Sequence, residues 1–314
     1  MTIASEPATL KRGGRLDSSR RRLARRDGLL FVLPLAVLLI VFVYAPMVRL
    51  VYYAFTDYNG LLPPEWVGLD NFRFLLEWPD FHRVVLNTFL LAAGLFVWVG
   101  LPFFLAIIIH GRRGANVIRA LLFLPALLPA LVVGRAFRFV LADQGPINEV
   151  LRSTGLDVLA QPWLASETWV IPTVIAVIAW ATMGTGVILY SAGLASLSRD
   201  YVEAAKVDGA RWHQLVMHIY RPALTPVTRF WLLLLTIGTV TSFFPWILGL
   251  TQGGPGIAST TLDYQVYRSG VQTSRLGLAS AIAIVGVLVV ALLLAAQLLL
   301  RRIRGGEDWG GGTT

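Results

Sequence analysis

Of the 314 residues, 56% are hydrophobic and 14% charged, a balance far to the apolar side of a soluble domain. The chain has no cysteine, which excludes disulfides, thiolate catalysis and Cys-ligated metals. Its two lysines, Lys11 and Lys206, stand outside any G-x-x-x-x-G-K-[ST] setting, which excludes a Walker A phosphate loop. The net charge of +9 would suit a nucleic-acid binder, but the placement of the positive charges argues for a membrane topology instead.

Six apolar segments reach the roughly 20 residues that a hydrocarbon core demands, at 29–55, 84–109, 118–140, 170–190, 224–250 and 276–300. The predicted fold is therefore an all-α polytopic membrane protein with six transmembrane helices. None of the 18 Asp and Glu residues falls inside these segments. Intramembrane carboxylates are the usual carriers of proton or sodium coupling, so their absence weighs against a secondary transporter and leaves ATP-driven transport open. With the N-terminus inside, the cytoplasmic segments hold eight Lys/Arg in the tail, three in the 110–119 loop, four in 191–222 and three at 301–304. The outside loops hold five. That asymmetry predicts a multi-pass protein with both termini cytoplasmic.

In chain order, residues 1–28 form a basic tail with Arg20, Arg21, Arg22, Arg25 and Arg26 before the first span. The apolar run that follows is too long for a signal peptide, and the expectation is an uncleaved anchor whose arginines meet anionic lipid or serve only as a topogenic signal. The first external loop carries Val67-Gly68-Leu69-Asp70-Asn71-Phe72 and leads to Asn87-Thr88, expected to cap the second span. Leu124-Pro125 and Leu128-Pro129 predict a bend in the third span. Arg135 and Arg138 near its outer end are placed to snorkel to the headgroups or to meet a soluble protein. The second external loop, 141–167, contains Gly145-Pro146-Ile147-Asn148 and Trp163-Leu164.

Between the fourth and fifth spans lies a polar stretch, 191–222. Ser198 can cap a helix running to Val207, and Asp208-Gly209 can end it in the left-handed conformation. A second helix presents Trp212, Leu215, Val216 and Ile219 on one face, and Pro222 is expected to stop it. Small residues at Ala204, Ala205, Gly209 and Ala210 permit close approach of another backbone, although on spacing alone an ordinary cytoplasmic loop is the favoured reading. In the fifth span Thr236, Thr239, Val240 and Phe243 fall at i, i+3, i+4 and i+7, the pattern of a pore wall or of interhelical threonine packing. Leu250-Thr251-Gln252-Gly253-Gly254-Pro255-Gly256 reads as a glycine-rich turn at the outer face. Residues 305–314 read as a disordered tail.

Glu203-Ala204-Ala205-x-x-Asp208-Gly209-Ala210, continued to Ile219 and Pro222, resembles the EAA loop of the membrane subunits of binding-protein-dependent ABC importers. Arg221 stands where that motif usually has leucine, and Val216 where an aromatic is frequent. The V-G-L-D-N-F … N-T, G-x-I-N … W-L and L-T-x-G-G-P runs are similar to those of carbohydrate-type permeases, comparable to the larger maltose-importer permease. The resemblance implies a type I ABC importer permease domain over 29–304, flanked by the 1–28 and 305–314 tails. It implies that Glu203, Ala204, Ala205, Asp208, Gly209 and Ala210 couple to an ATPase. Counting from the motifs, it places Ala181, Thr182, Thr185, Thr236, Thr239, Val240 and Phe243 along the substrate pathway, with Trp180 and Phe243 as candidates to stack on a sugar. No charge lines either stripe, which suits a neutral polyol.

The implied assembly pairs this chain with a second permease subunit, as a heterodimer, with two ATPase subunits inside and an extracytoplasmic sugar-binding protein outside. It sits in the lipid of a bacterial inner membrane and does not engage nucleic acid. The chain itself is then no enzyme, with no catalytic residue, no metal and no cofactor, since ATP is bound by the partners. The alternatives are an ABC permease for another solute, such as glycerol phosphate, an amino acid or a peptide, and a passive channel. A membrane-embedded enzyme has no H-E-x-x-H, paired carboxylate or Ser/His cluster to support it.

Overall fold

The computed structural model describes residues 31–305, so the expectations for the 1–28 tail and for most of the 305–314 tail lie outside the described residues. The chain divides after Tyr52 into two units. The first contributes α1, the apolar helix Phe31–Tyr53, interrupted only by a π turn at Ile40–Tyr44. Pro46 follows that turn, and a wider turn relieves the clash between a proline ring and the carbonyl four residues back.

The second unit begins with an antiparallel pair of two-residue strands, β1 (Thr56–Asp57) and β2 (Glu65–Trp66), in register Thr56 to Trp66. Helices follow as α2 (Asp70–Glu77), α3 (Pro79–Ala92), α4 (Leu95–Ile109), α5 (Ala115–Phe123), α6 (Ala130–Val140), α7 (Pro146–Ser153) and α8 (Val170–Ala195). Then come α9 (Arg199–Val207), α10 (Trp212–Leu215), α11 (Arg221–Thr241), α12 (Phe244–Leu250), α13 (Leu262–Tyr267) and α14 (Leu276–Gly305). Phe31–Tyr53, Pro79–Ile109, Val170–Ala195 and Leu276–Leu299 are each long and apolar enough to cross a membrane. Two bent pairs bring the number to six if each counts as one span.

The first pair carries the bend expected of the prolines in the third span, and the second corrects the sequence reading of 224–250 as a single helix. Between Ala115–Leu127 and Ala130–Val140 the axis turns by 94°. The cause is local: a 3-10 turn over Leu124–Leu127 is followed by Leu128, held extended (φ −87°, ψ 138°) because the residue before a proline is pushed out of the helical region. The fifth span turns by 60° between α11 and α12. Ser242 leaves the helix at φ −131°, and Pro245 sits in the first turn of α12, where its missing N–H costs nothing. The second span starts earlier than expected, so Asp80 falls in its first turn.

Pro222 does not stop the helix that begins at Trp212. A π turn over Val216–Tyr220 leads directly into α11, as the π turn before Pro46 does in α1. Asn87 and Thr88 do not cap the second span either; both are buried in the middle of α3. Asn87 Nδ2 donates to the carbonyls of Ile257 (2.8 Å) and Thr260 (3.1 Å), and Thr88 Oγ1 accepts the Leu262 N–H at 3.1 Å. The pair thus staples α3 to the loop that follows α12. Asn87→Leu removes the donor to the buried Thr260 carbonyl, while the Ile257 carbonyl keeps the Thr260 N–H, and is expected to destabilise the protein by about 1–3 kcal/mol, read as a lowered Tm of the purified subunit complex.

Three buried clusters hold the second unit. One, around Leu91, Trp98, Val174, Ile178, Phe243 and Ile247, joins α3, α4, α8 and the broken fifth span. A second, around Ile107, Tyr190, Leu194, Leu215, Tyr220 and Leu224, lies under the 191–222 stretch. The third, around Ala54, Leu75, Val84, Leu262 and Ile282, joins residues 54–84 to α13 and α14. There Gly277 N–H donates to the Tyr58 carbonyl at 3.0 Å, and a Cβ on Gly277 would lie 2.0 Å from the Thr56 oxygen, so only glycine fits.

Candidate coupling surface and translocation site

The 191–222 stretch folds as its sequence predicts up to Gly209. Ser198 Oγ accepts the Asp200 N–H at 3.2 Å and opens α9. At its end Gly209 takes φ +81°, its N–H donates to the Lys206 carbonyl (3.0 Å), and the Ala210 N–H donates to the Ala205 carbonyl (2.9 Å). These two bonds are the Schellman closure that a left-handed glycine allows. Gln214 Oε1 accepts the Arg211 N–H at 2.7 Å and starts the next helix, which runs unbroken to Thr241.

Leu215, Val216 and Tyr220 are buried, and Val202, Ala205 and Ala210 pack against the same cluster. Trp212 departs from the expected apolar face: it stays half exposed, with its ring 6.5 Å from that of Phe104. Glu203, Ala204, Asp208 and Gly209 are exposed, and beside them Val207 is 88% and Tyr201 70% exposed. A cleft of about 330 Å³ opens between α9 and α10, lined by Ala205, Asp208, Gly209, Ala210, Leu215 and His218 among others. Small side chains, two apolar prominences and a shallow cleft make a surface suited to docking another protein.

The predicted pathway residues are brought together only in part. Thr236 and Thr239 are fully buried, with Thr236 Oγ1 donating to the Leu232 carbonyl (2.7 Å) and Thr239 Oγ1 to the Thr236 carbonyl (2.7 Å). Val240 lies in the last turn of α11. Phe243 does not continue their helical face, because it stands beyond the break at Ser242. Its ring instead meets Trp98 edge-on at 5.8 Å. Trp98 is held on both sides: its Nε1 donates to the Ile175 carbonyl (3.0 Å), and its own carbonyl accepts Trp231 Nε1 (3.1 Å).

On α8, Ala181 is buried in the cluster that contains Phe243, while Thr182 and Thr185 are half-buried. Thr182 Oγ1 donates back to the Ile178 carbonyl at 2.8 Å, a common resting place for a threonine hydroxyl in an apolar helix. Gly184 between them lets α8 touch the backbone of α5 at Leu122. Trp180 packs on Phe137 of α6 at 5.0 Å. Arg135 and Arg138 are exposed.

Several participants were not anticipated from sequence. Gln297 of α14 donates through Nε2 to Thr236 Oγ1 at 2.6 Å, and its Oε1 is buried without a partner. Gly134 of α6 and Gly249 of α12 face one another so closely that a Cβ on either would lie 3.0 Å from the other's Cα. Asp263 of α13 accepts the Tyr264 N–H (2.8 Å), the Thr261 hydroxyl (2.5 Å) and the Phe244 N–H. Burial pushes the Asp263 carboxyl up from its ordinary range, against the downward pull of those hydrogen bonds. The signals available were the lone Gln in an apolar run and Pro245, which demands a helix start near Phe244.

The loops at 54–72, 141–163 and 251–260 are closed by side chains of the motifs singled out in the sequence. Asn148 Nδ2 donates to the carbonyls of Asp143 (3.1 Å) and Gln161 (2.9 Å), and its Oδ1 accepts Trp163 Nε1 at 2.8 Å. Asn71 Nδ2 donates to the carbonyls of Ala54 and Thr56. In the glycine-rich turn Gln252 and Gly253 take φ +55° and +87°, Gly254-Pro255 is cis, and Ser259 Oγ donates to the Gly254 carbonyl at 2.7 Å.

Comparison with known proteins fits this architecture. The profile of the family described as binding-protein-dependent transport system inner membrane component matches residues 98–305. The diacetylchitobiose uptake system permease protein NgcF of Streptomyces coelicolor is 28% identical, over 98% of this chain and 91% of its own. The multiple sugar-binding transport system permease protein MsmF of Streptococcus mutans is 28% identical, over 90% and 98%. A crystal structure of a bacterial ABC transporter involved in the import of the acidic polysaccharide alginate superimposes with a TM-score of 0.77 at 27% identity, over 91% of this chain and 99% of that one. With its apolar helices, its EAA turn and this match over two thirds of its length, the chain belongs to the family of inner membrane permease components of binding-protein-dependent transport systems.

Proposed function

We propose that this chain is one permease subunit of an ATP-driven importer of a neutral oligosaccharide. It forms half of the pathway with a second permease subunit, docks ATPase subunits on Glu203, Ala204, Ala205, Asp208, Gly209 and Ala210, and receives its sugar from a binding protein outside. Two similar permeases are named for sugar uptake, and the alginate importer is also known in complex with an alginate pentasaccharide-bound periplasmic protein. The sugar here is taken as neutral because Ala181, Thr182, Thr185, Thr236, Thr239, Val240 and Phe243 carry no charge to balance an acidic one. ATP is bound by the partner subunits, the chain carries no cofactor, and both termini are cytoplasmic.

The observation that carries this reading is the continuous helix from Trp212 to Thr241. It makes the exposed turn at Gly209 and the break beside Phe243 the two ends of one rod. A rigid-body shift imposed on the turn by ATPase closure is then carried along this helix to the break at Ser242, next to the Phe243–Trp98 contact. The test is ATP-dependent uptake in vesicles carrying the full complex and its binding protein. Phe243→Ala is expected to change KM for the transported sugar by roughly two- to tenfold, the scale of one aromatic contact of about 0.5–1.5 kcal/mol, with assembly intact. Thr239→Leu and Phe243→Ala both leaving uptake unaltered would reduce these residues to packing.

A further inference from the structure

The break in the fifth span sets two adjacent phenylalanines facing opposite ways. Phe243 meets Trp98, whereas Phe244 is held by α13 through both its ring and its backbone. Its ring lies 4.9 Å from that of Tyr267 and 6.3 Å from that of Tyr264. Its N–H, the first unpaired donor of α12, is taken by the Asp263 carboxylate.

Asp263 also borders a groove of about 540 Å³ whose other walls are apolar but for Thr241, with Ile237 of α11 and Ile282, Gly286 and Val290 of α14 among its lining. Among the described residues no Lys, Arg or His pairs with it. A carboxylate without a cation in such surroundings is costly, and what it obtains in return is three donors: the Thr261 hydroxyl and the Tyr264 N–H at the start of its own helix, and the Phe244 N–H at the break. Were it absent, the part-buried Phe244 N–H would lose its partner. The nearest repair is to extend α11 past Ser242 so that this N–H bonds four residues back, and each residue added to a helix turns by 100°. Phe243 would then leave Trp98.

We infer that Asp263 is a positioning residue for transport: by capping Phe244 it fixes where the fifth span breaks and where the Phe243 ring stands, and so it sets substrate selectivity without touching substrate. This rests on the reading that Phe243 faces the pathway, and the experiment separates the two. In the reconstituted complex with binding protein and ATPases, KM and maximal uptake are measured for two neutral oligosaccharides of different length. The variants are Asp263→Ala, Asp263→Asn, Phe243→Ala and the Asp263→Ala/Phe243→Ala double.

Phe243→Ala and Asp263→Ala are expected to shift the KM ratio of the two sugars in the same direction, by roughly threefold or more, with the double variant no further shifted than Phe243→Ala alone. Asp263→Asn, which keeps an acceptor for the Phe244 N–H, is expected to stay near the parent ratio. Should Asp263→Ala fail to accumulate, Asp263→Glu, whose extra methylene displaces the cap, takes its place and is expected to shift the ratio. The inference is overturned if the ratio moves with Phe243→Ala but not with Asp263→Ala or Asp263→Glu, whatever happens to maximal uptake. If Phe243→Ala itself leaves the ratio unchanged, the pathway reading falls and the inference with it.

Discussion

Gly209→Val is expected to abolish transport while leaving the subunit inserted and folded. At φ +81° the position favours glycine, and a β-branched side chain there carries a strain of about 1–2 kcal/mol or more. Nothing lies within 4 Å of the added Cβ, so the protein's own packing is not disturbed. The bulk instead projects from the exposed turn between Asp208 and Ala210, where the ATPase is proposed to close around the chain. Asn tolerates the left-handed conformation, so Gly209→Asn relieves the strain and adds bulk only, and comparison of the two variants divides backbone from surface effects. The measurements are capture of the ATPase subunits by the tagged permease and uptake in vesicles, made separately. We expect capture to fall at least tenfold and uptake to drop below detection for valine. Normal capture together with wild-type uptake would remove the coupling role from this turn.

Gly184→Val is expected to act in the opposite way, by preventing assembly of the helical unit. A Cβ at Gly184 would lie 2.1 Å from the Leu122 carbonyl oxygen, 2.4 Å from its carbon and 2.5 Å from the Phe123 Cα. These obstacles are backbone atoms, which cannot turn aside as a flexible side chain can. Overpacking usually costs about 1–3 kcal/mol, and a β-branched side chain against backbone belongs at or above the top of that range. α8 would have to retreat from α5, opening the cluster that contains Ala181 and Phe243. Gly100→Ala is the control, since nothing lies within 4 Å of its Cβ in α4 and alanine there should be neutral or slightly stabilising. The comparison is the yield and Tm of the detergent-purified complex, and a Gly184→Val complex as stable as the Gly100→Ala one would refute the close approach.

The two glycines mark different kinds of legibility. Gly209 was readable because its demand is local: a run of helix formers after Ser198, then Asp-Gly, then a second start. Gly184 was not, because nothing near it in sequence announces that Leu122 lies against it. The fifth span lies between these cases. Its spacing of Thr236, Thr239, Val240 and Phe243 pointed to one helical face, and that reading failed at Phe243 although Pro245 carried the warning.

What the sequence determined by itself was whatever depends on neighbours along the chain. Six apolar stretches of sufficient length, the bias of Lys and Arg to one side, the proline bend after Leu124 and the capped turn at residues 198–210 all follow from local sterics and from the solvation of individual side chains. Tertiary structure alone decided what each polar group inside that apolar frame was for. Asn87 finds its acceptor 173 residues away at Thr260, Trp98 is held by Trp231 133 residues on, Gln297 reaches Thr236 across 61, and Asp263 caps a helix that begins 19 residues before it. A hydrogen-bonding group removed from water must have a partner, but which one depends on how the helices cross, and helix crossings are set by side-chain packing that no linear period encodes.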